Sequence, residues 1–119
     1  MLFRSQQFNT LPSPTPLSLT IPYNDAKTQV HDLLVQAVQK RLSSDREIGC
    51  LLSGGLDSSV IAAILAREMQ KRGKVLRTFS VGFPDSTDIV YAREVAKHIK
   101  SDHHELIIQY EDEIGRAHV

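Results

Sequence analysis

The stretch Cys50-Leu51-Leu52-Ser53-Gly54-Gly55-Leu56-Asp57-Ser58-Ser59 decides the fold. An apolar run stops there against glycine and hydroxyl residues, and a helical pattern follows. Ile48, Cys50, Leu51 and Leu52 read as a short parallel strand buried on both faces. From Val60 the period changes: Val60, Ile61, Ile64, Leu65 and Met69 recur at helical spacing until Gly73, which is placed to end the helix. The unit is strand, glycine turn, helix. A helix start exposes unpaired N–H groups and a positive dipole end, and Gly54 and Gly55 let the backbone approach a ligand with no Cβ in the way. Ser53, Ser58 and Ser59 add hydroxyl donors. Asp57 can hold Mg²⁺ against phosphate oxygens, so the ligand that fits this turn is a polyphosphate with its metal.

The Walker pattern G-x-x-x-x-G-K-[ST] is absent. Gly73-Lys74 is followed by Val75 and lies beyond the helix, so no lysine is placed for a γ-phosphate, and kinase or GTPase chemistry fits poorly.

Working outward, Val30, Leu33, Leu34, Ala37, Val38, Arg41 and Leu42 follow helical spacing, with Asn24 or Asp25 as the cap and Ser43-Ser44-Asp45 as the end. The apolar face of this helix is expected to cover the sheet. Lys40, Arg41 and Arg46 near the entry to the glycine-turn strand read as a solvated helix end rather than as anion ligands. Residues 1–22 contain Leu11-Pro12-Ser13-Pro14-Thr15-Pro16 and no sustained period, and read as a linker or disordered tail.

Beyond Gly73, the segment Val75 to Phe83 is rich in β-branched and aromatic residues and reads as a second strand, stopped by Pro84-Asp85. Ser86, Thr87 or Asp88 caps a helix whose face is Ile89, Ala92, Val95, Ala96 and Ile99. A third strand is expected from about His104 to Tyr110, centred on Leu106, Ile107 and Ile108. The order β-α-β-α-β, with crossovers this long, implies a parallel sheet with right-handed connections. Such sheets bind ligands outside the carboxyl ends of their strands. Ser53-Gly54-Gly55 would take phosphates there and Ser80-Val81-Gly82 would lie near a base.

Composition bounds the rest. A chain of 119 residues with 41% hydrophobic content holds at most one α/β domain, and 14 basic residues balance 14 acidic ones, so nothing in the net charge calls for nucleic acid or an anionic membrane. The single cysteine, Cys50, excludes an internal disulfide and reads as a core thiol. No apolar run approaches a membrane span, and Met1-Leu2-Phe3-Arg4 is followed by polar residues rather than a signal-type segment, so a cytoplasmic location is expected. His103-His104-Glu105 invites a metal reading, but neighbours on a strand point to opposite faces and do not converge on one ion. Asp85, Ser86 and Asp88 fit a second metal or simple loop capping.

Ser53-Gly54-Gly55-Leu56-Asp57-Ser58-Ser59 resembles the SGGxDS pyrophosphate loop of the N-type ATP pyrophosphatases, the PP-loop superfamily. Several flanking motifs resemble the glutamine-hydrolysing asparagine synthetase family in particular. They are Lys40-Arg41-Leu42 with Asp45 to Leu52, Phe79-Ser80-Val81-Gly82 with Ser86 and Asp88, Ala92-Arg93-Glu94-Val95-Ala96, and His103-His104-Glu105. The match runs from about Asp25 to about Tyr110. It implies an incomplete adenine nucleotide alpha hydrolase-like (Rossmann-like) fold, with residues 23–113 as part of the synthetase domain. Ser53, Gly54, Gly55, Leu56, Asp57, Ser58 and Ser59 would then bind phosphate, with Asp57 on Mg²⁺. Leu51, Leu52, Val81 and Gly82 would lie against the adenine of ATP.

The implied reaction is attack of the aspartate side-chain carboxylate on the α-phosphate of ATP, releasing pyrophosphate, after which ammonia displaces AMP to form asparagine. An ionised carboxylate needs no general base, and no residue here is assigned as one. The family's glutaminase half starts with a cysteine after the initiator methionine, whereas this chain starts Met1-Leu2, so the ammonia from glutamine would be made elsewhere. A second nucleotide motif, SGEGSDE in the family, is also absent from the sequence. The chain therefore reads as a fragment, inactive by itself. Ile114 to Val119 back-translate to common sequencing-adapter text, so 114–119 are expected to be non-native. Two alternatives are another PP-loop ligase, such as a β-lactam synthetase, and a non-catalytic nucleotide-binding module.

Overall fold

The computed structural model describes residues 21–109, which form α1 (Tyr23–Arg41), β1 (Gly49–Leu51), α2 (Leu56–Lys71), β2 (Arg77–Gly82), α3 (Thr87–Ile99) and β3 (Asp102–Ile107). The expectations for residues 1–20 and from Tyr110 onward, the proline-rich tail and the adapter-like end included, fall outside the described residues. The three strands are parallel in the order β1-β2-β3, with Leu51 beside Phe79 and Phe79 beside His104. This is the α/β parallel sheet with flanking helices that the sequence implied. No described helix is long and apolar enough to cross a membrane.

The sheet steps in one direction. Two successive right-handed crossovers that advance the same way put both helices on the same face. Burial alternates accordingly: Leu52, Thr78 and Ser80 lie under the helices, while Leu51, Phe79, Val81 and Leu106 face outward and are exposed. The expectation that β1 is buried on both faces is therefore wrong, and Leu51 is 76% exposed. An apolar run records what a strand can bury, and which face is covered depends on the path of the crossovers.

Two clusters form the core. Leu52, Ala62, Ala92 and Ala96 pack α2 and α3 against the loop end of β1. Val38, Leu42, Leu65, Met69 and Leu76 join α1 to α2 and to the approach to β2. Thus α1 lies over α2 instead of covering the sheet, and Val30 and Leu33 on its amino-terminal half stay exposed. Cys50 is half-buried and packs against both clusters, and burial pushes its thiol pKa up.

Element ends moved for identifiable reasons. Pro22, rather than Asn24 or Asp25, occupies the cap position of α1, and its carbonyl accepts the Ala26 N–H at 3.0 Å. Proline needs no N–H to precede a helix, and Asp25 gains from the dipole in the first turn. Helix α2 starts at Leu56, four residues before the apolar period does. Leu56 is followed by Asp57, Ser58 and Ser59, so hydrophobic spacing could not register the first turn. The other end of α2 follows the sequence reading: Gly73 has φ +69°, with Gly73 N–H donating to Gln70 and Lys74 N–H to Met69, both at 3.0 Å, a Schellman closure. Strand β2 starts at Arg77, two residues late, and Val75 is exposed. Strand β3 starts at Asp102, two residues early.

Two carboxylates tie the helices down. Glu68 on α2 accepts from Lys71 at 2.9 Å and from Gln39 on α1 at 3.1 Å, and Lys71 foremost, then Gln39, hold its pKa below the ordinary glutamate value. Glu105 on β3 receives both Nε (2.6 Å) and Nη2 (2.9 Å) of Arg93 on α3, and this pairing lowers its pKa. A carboxylate depressed by folding stabilises at pH above its unfolded value, about 4.3, and that contribution disappears as pH falls through this value towards the lower folded one. Thermal melts between pH 3 and pH 7 should therefore show the difference between wild type and Glu105→Gln greatest near neutrality and smallest at the acid end. A difference that does not shrink on acidification would contradict the ion pair.

Candidate nucleotide site

The carboxyl end of β1 leads into the glycine turn. Leu52 is 2% exposed and fixed there, since its N–H donates to the Phe79 carbonyl at 2.8 Å and its carbonyl accepts the buried Ser80 hydroxyl. Ser80 is thus the residue that joins the ends of β1 and β2. Sequence reading assigns it no such role, because a serine in a strand carries no signal of what it will cap.

Gly54 then turns with φ +82°, a region that L side chains rarely adopt. A Cβ on Gly54 would lie 2.7 Å from the Asp88 carbonyl oxygen and 2.8 Å from both Ala92 N and Tyr91 Cβ. The turn therefore rests on the first two turns of α3. Gly55, the cap position of α2, has φ −73°, and a Cβ there would meet only Ser53 Oγ at 3.5 Å. Gly54 is glycine for packing and conformation. Gly55 leaves its backbone open to solvent, as approach to a ligand requires.

The hydroxyls close on one another. Ser53 Oγ and Ser58 Oγ are 2.8 Å apart, Ser58 Oγ is 3.3 Å from Ser53 N–H, and Ser59 Oγ donates to the Gly55 carbonyl at 2.6 Å. Gly55 N–H points to Ser53 Oγ at the long distance of 3.4 Å. Hydroxyls and amides in such a ring can exchange the longer of these bonds, at 3.3–3.4 Å, for phosphate oxygens without a change of backbone. Leu56 is 79% exposed at the helix start. Asp57 is exposed in the first turn of α2, and its carboxylate pairs with no described residue.

The other sequence candidates separate into two groups. Val81 and Gly82 end β2 at the same edge of the sheet as the turn, and the Leu51 and Val81 side chains sit on the open sheet face. Arg46 lies elsewhere, in a hollow with Arg72, Lys74 and Arg77 at the amino ends of the strands. His103 and His104 take opposite faces, as alternation requires. His103 Nδ1 is 2.9 Å from the buried Thr78 hydroxyl, while His104 stacks on Phe79 with ring centroids 5.4 Å apart. Ser86 is the cap position of α3 and makes no side-chain cap bond, and Asp88 sits in the first turn. Among the described residues no three His, Cys, Asp or Glu side chains are grouped to hold a metal ion. A Mg²⁺ ion still fits, because it takes one or two carboxylates and fills its remaining positions with phosphate oxygens and water. Asp57, which pairs with no described residue, is the one carboxylate in the turn open to such an ion.

Comparison with known proteins agrees with this geometry. The asparagine synthase family model matches residues 29–117, which include every element from the middle of α1 onward. The chain belongs to the asparagine synthase family. It is 50% identical over 91 residues to "Asparagine synthetase [glutamine-hydrolyzing]" of Bos taurus, and 48% identical over 91 residues to the protein of that name from Homo sapiens. The Gallus gallus protein is 48% identical over 90 residues. Each alignment covers 74% of this chain and 16% of the relative, so the chain spans about a sixth of the length of these relatives. The family's Rossmann-like fold accounts for the parallel sheet and for a glycine turn at its carboxyl edge.

Proposed function

We propose that the chain is the pyrophosphate-binding part of an ATP-dependent, asparagine-forming ligase, with residues 23–113 as its share of the synthetase domain. The observation that carries this reading is the turn from Ser53 to Ser59. It combines helix-start amides, a ring of hydroxyls and one carboxylate that pairs with no described residue, at the carboxyl edge of a parallel sheet. Ser53, Gly54, Gly55, Ser58 and Ser59 hold the β- and γ-phosphates. Leu51, Leu52, Val81 and Gly82 border the adenine. Asp57 would hold Mg²⁺, which when bound would supply positive charge against the departing pyrophosphate.

In the reaction proposed, the side-chain carboxylate of aspartate attacks the α-phosphorus, the bond to the β-phosphate oxygen breaks, and pyrophosphate leaves with the electron pair. Ammonia derived from glutamine then displaces AMP. The role of this chain's residues is to fix the leaving group in line and stabilise it, which is electrostatic work done by donors already in place.

Binding and chemistry can be tested apart. Residues matching the SGEGSDE motif do not occur in these 119 residues. The purified chain, incubated with ATP, Mg²⁺, aspartate and ammonia, should therefore bind ATP and pyrophosphate by calorimetry yet release no AMP. Absence of any ATP or pyrophosphate binding by a folded chain would refute the nucleotide reading. Aspartate-dependent AMP release would refute the assignment of these residues as one part of the active site.

A further inference from the structure

Gly82 has no conformational reason to be glycine, since only Gly54 and Gly73 among the described glycines have positive φ. Its reason is a neighbour. A Cβ on Gly82 would lie 2.8 Å from Ile89 Cγ1 and 3.0 Å from Ile89 Cδ1, with Ser86 Cβ at 3.5 Å. Ile89 is 3% exposed. In the same two turns of the helix, Asp88, Tyr91 and Ala92 receive Gly54 at 2.7–2.8 Å by the same measure. The first two turns of α3 therefore rest on both the end of β2 and the turn after β1, with a close glycine contact at each. Arg93, next along the helix, ties it to Glu105 on β3, and Ala92 is fully buried, so the segment has little freedom to slide.

We propose that the first two turns of α3, beyond the Ser80–Leu52 link that joins the strand ends, act as a spacer that holds the phosphate-binding turn in position relative to the base-binding end of β2, and that Ile89 is the positioning residue on the β2 side. The inference rests on the nucleotide reading above and deepens it. A ligand that occupies both halves at once depends on their separation. A ligand that occupies one half does not. Ile89 touches neither half of the ligand in this arrangement and acts only through Gly82 and the helix it belongs to. The reason for two glycines against one helix is then mechanical: either Cβ would wedge α3 outward and change the span that a nucleoside triphosphate must bridge.

The test uses three probes on the full 119-residue chain: ATP, AMP and inorganic pyrophosphate, each with Mg²⁺, with the folded fraction of every variant measured by far-ultraviolet circular dichroism. Ile89→Ala should weaken ATP about tenfold, because linked contacts lose their registration, while AMP and pyrophosphate each change by less than about threefold. Gly82→Ala should also weaken ATP. The double variant Gly82→Ala/Ile89→Ala should recover most of the ATP affinity lost in Gly82→Ala, because the new methyl occupies space that Ile89 vacates. A direct clash between the methyl and the base would not be relieved in this way. Equal losses for all three probes in Ile89→Ala, after correction for folded fraction, would overturn the spacer and leave the nucleotide site standing, as would a double variant no better than Gly82→Ala. A folded wild-type chain that binds none of the probes would overturn both.

Discussion

Gly54→Ala is expected to cost about 2–5 kcal/mol, the sum of a left-handed backbone forced on an L residue and of a methyl driven into packed backbone. The methyl has no escape. Two of its three nearest neighbours are main-chain atoms of α3, the Asp88 carbonyl oxygen at 2.7 Å and Ala92 N at 2.8 Å. Helix and turn must therefore separate, and the cluster of Leu52, Ala62, Ala92 and Ala96 beneath them must open. Two other glycines serve as controls. Gly73→Ala shares the positive φ but meets nothing within 4 Å, so it should cost only about 1–2 kcal/mol. Gly55→Ala has an ordinary φ and open space, so stability should stay within about 1 kcal/mol of wild type while pyrophosphate affinity falls, because the methyl stands where phosphate must approach. Chemical denaturation of the three variants, with pyrophosphate titration of those that fold, checks the ranking. A Gly54→Ala chain as stable as Gly73→Ala would refute the contact with α3.

The second large effect falls on Asp57. It is the only acid in the turn and pairs with no described residue, so the fold uses its charge only against the dipole of α2, a gain of about 0.3–1 kcal/mol. Asp57→Asn should leave the thermal midpoint nearly unchanged and remove most of the gain in ATP affinity that Mg²⁺ confers, a loss of about tenfold to a hundredfold for one carboxylate facing a divalent ion. Asp45→Asn is the control. Asp45 lies in the loop before β1, at the opposite end of the sheet, and its neutralisation should leave Mg²⁺-dependent binding within about twofold of wild type. Titrations with ATP at fixed and zero Mg²⁺ separate the two. Equal Mg²⁺ dependence in both variants would remove Asp57 as a metal ligand.

What the sequence by itself determined was local. The change of period from Val60, the helix stop at Gly73 and the face of α3 follow from propensities and spacings within a few residues, and the alternation of such segments was enough to imply a parallel sheet. The turn was legible for the same reason. Two glycines, three serines and an aspartate between an apolar run and a helix restrict what the backbone there can do. Tertiary structure decided which strand face is covered, that α1 lies on α2, and why Gly54 and Gly82 lack side chains. Each of these depends on elements distant in sequence meeting in space. Leu51 has the same identity whether a helix covers it or not, and Ile89 reads as an ordinary core residue until its contact with Gly82 places it beside the site. Hydrophobic pattern records a residue's tendency to be buried, and only the path of the chain determines against what.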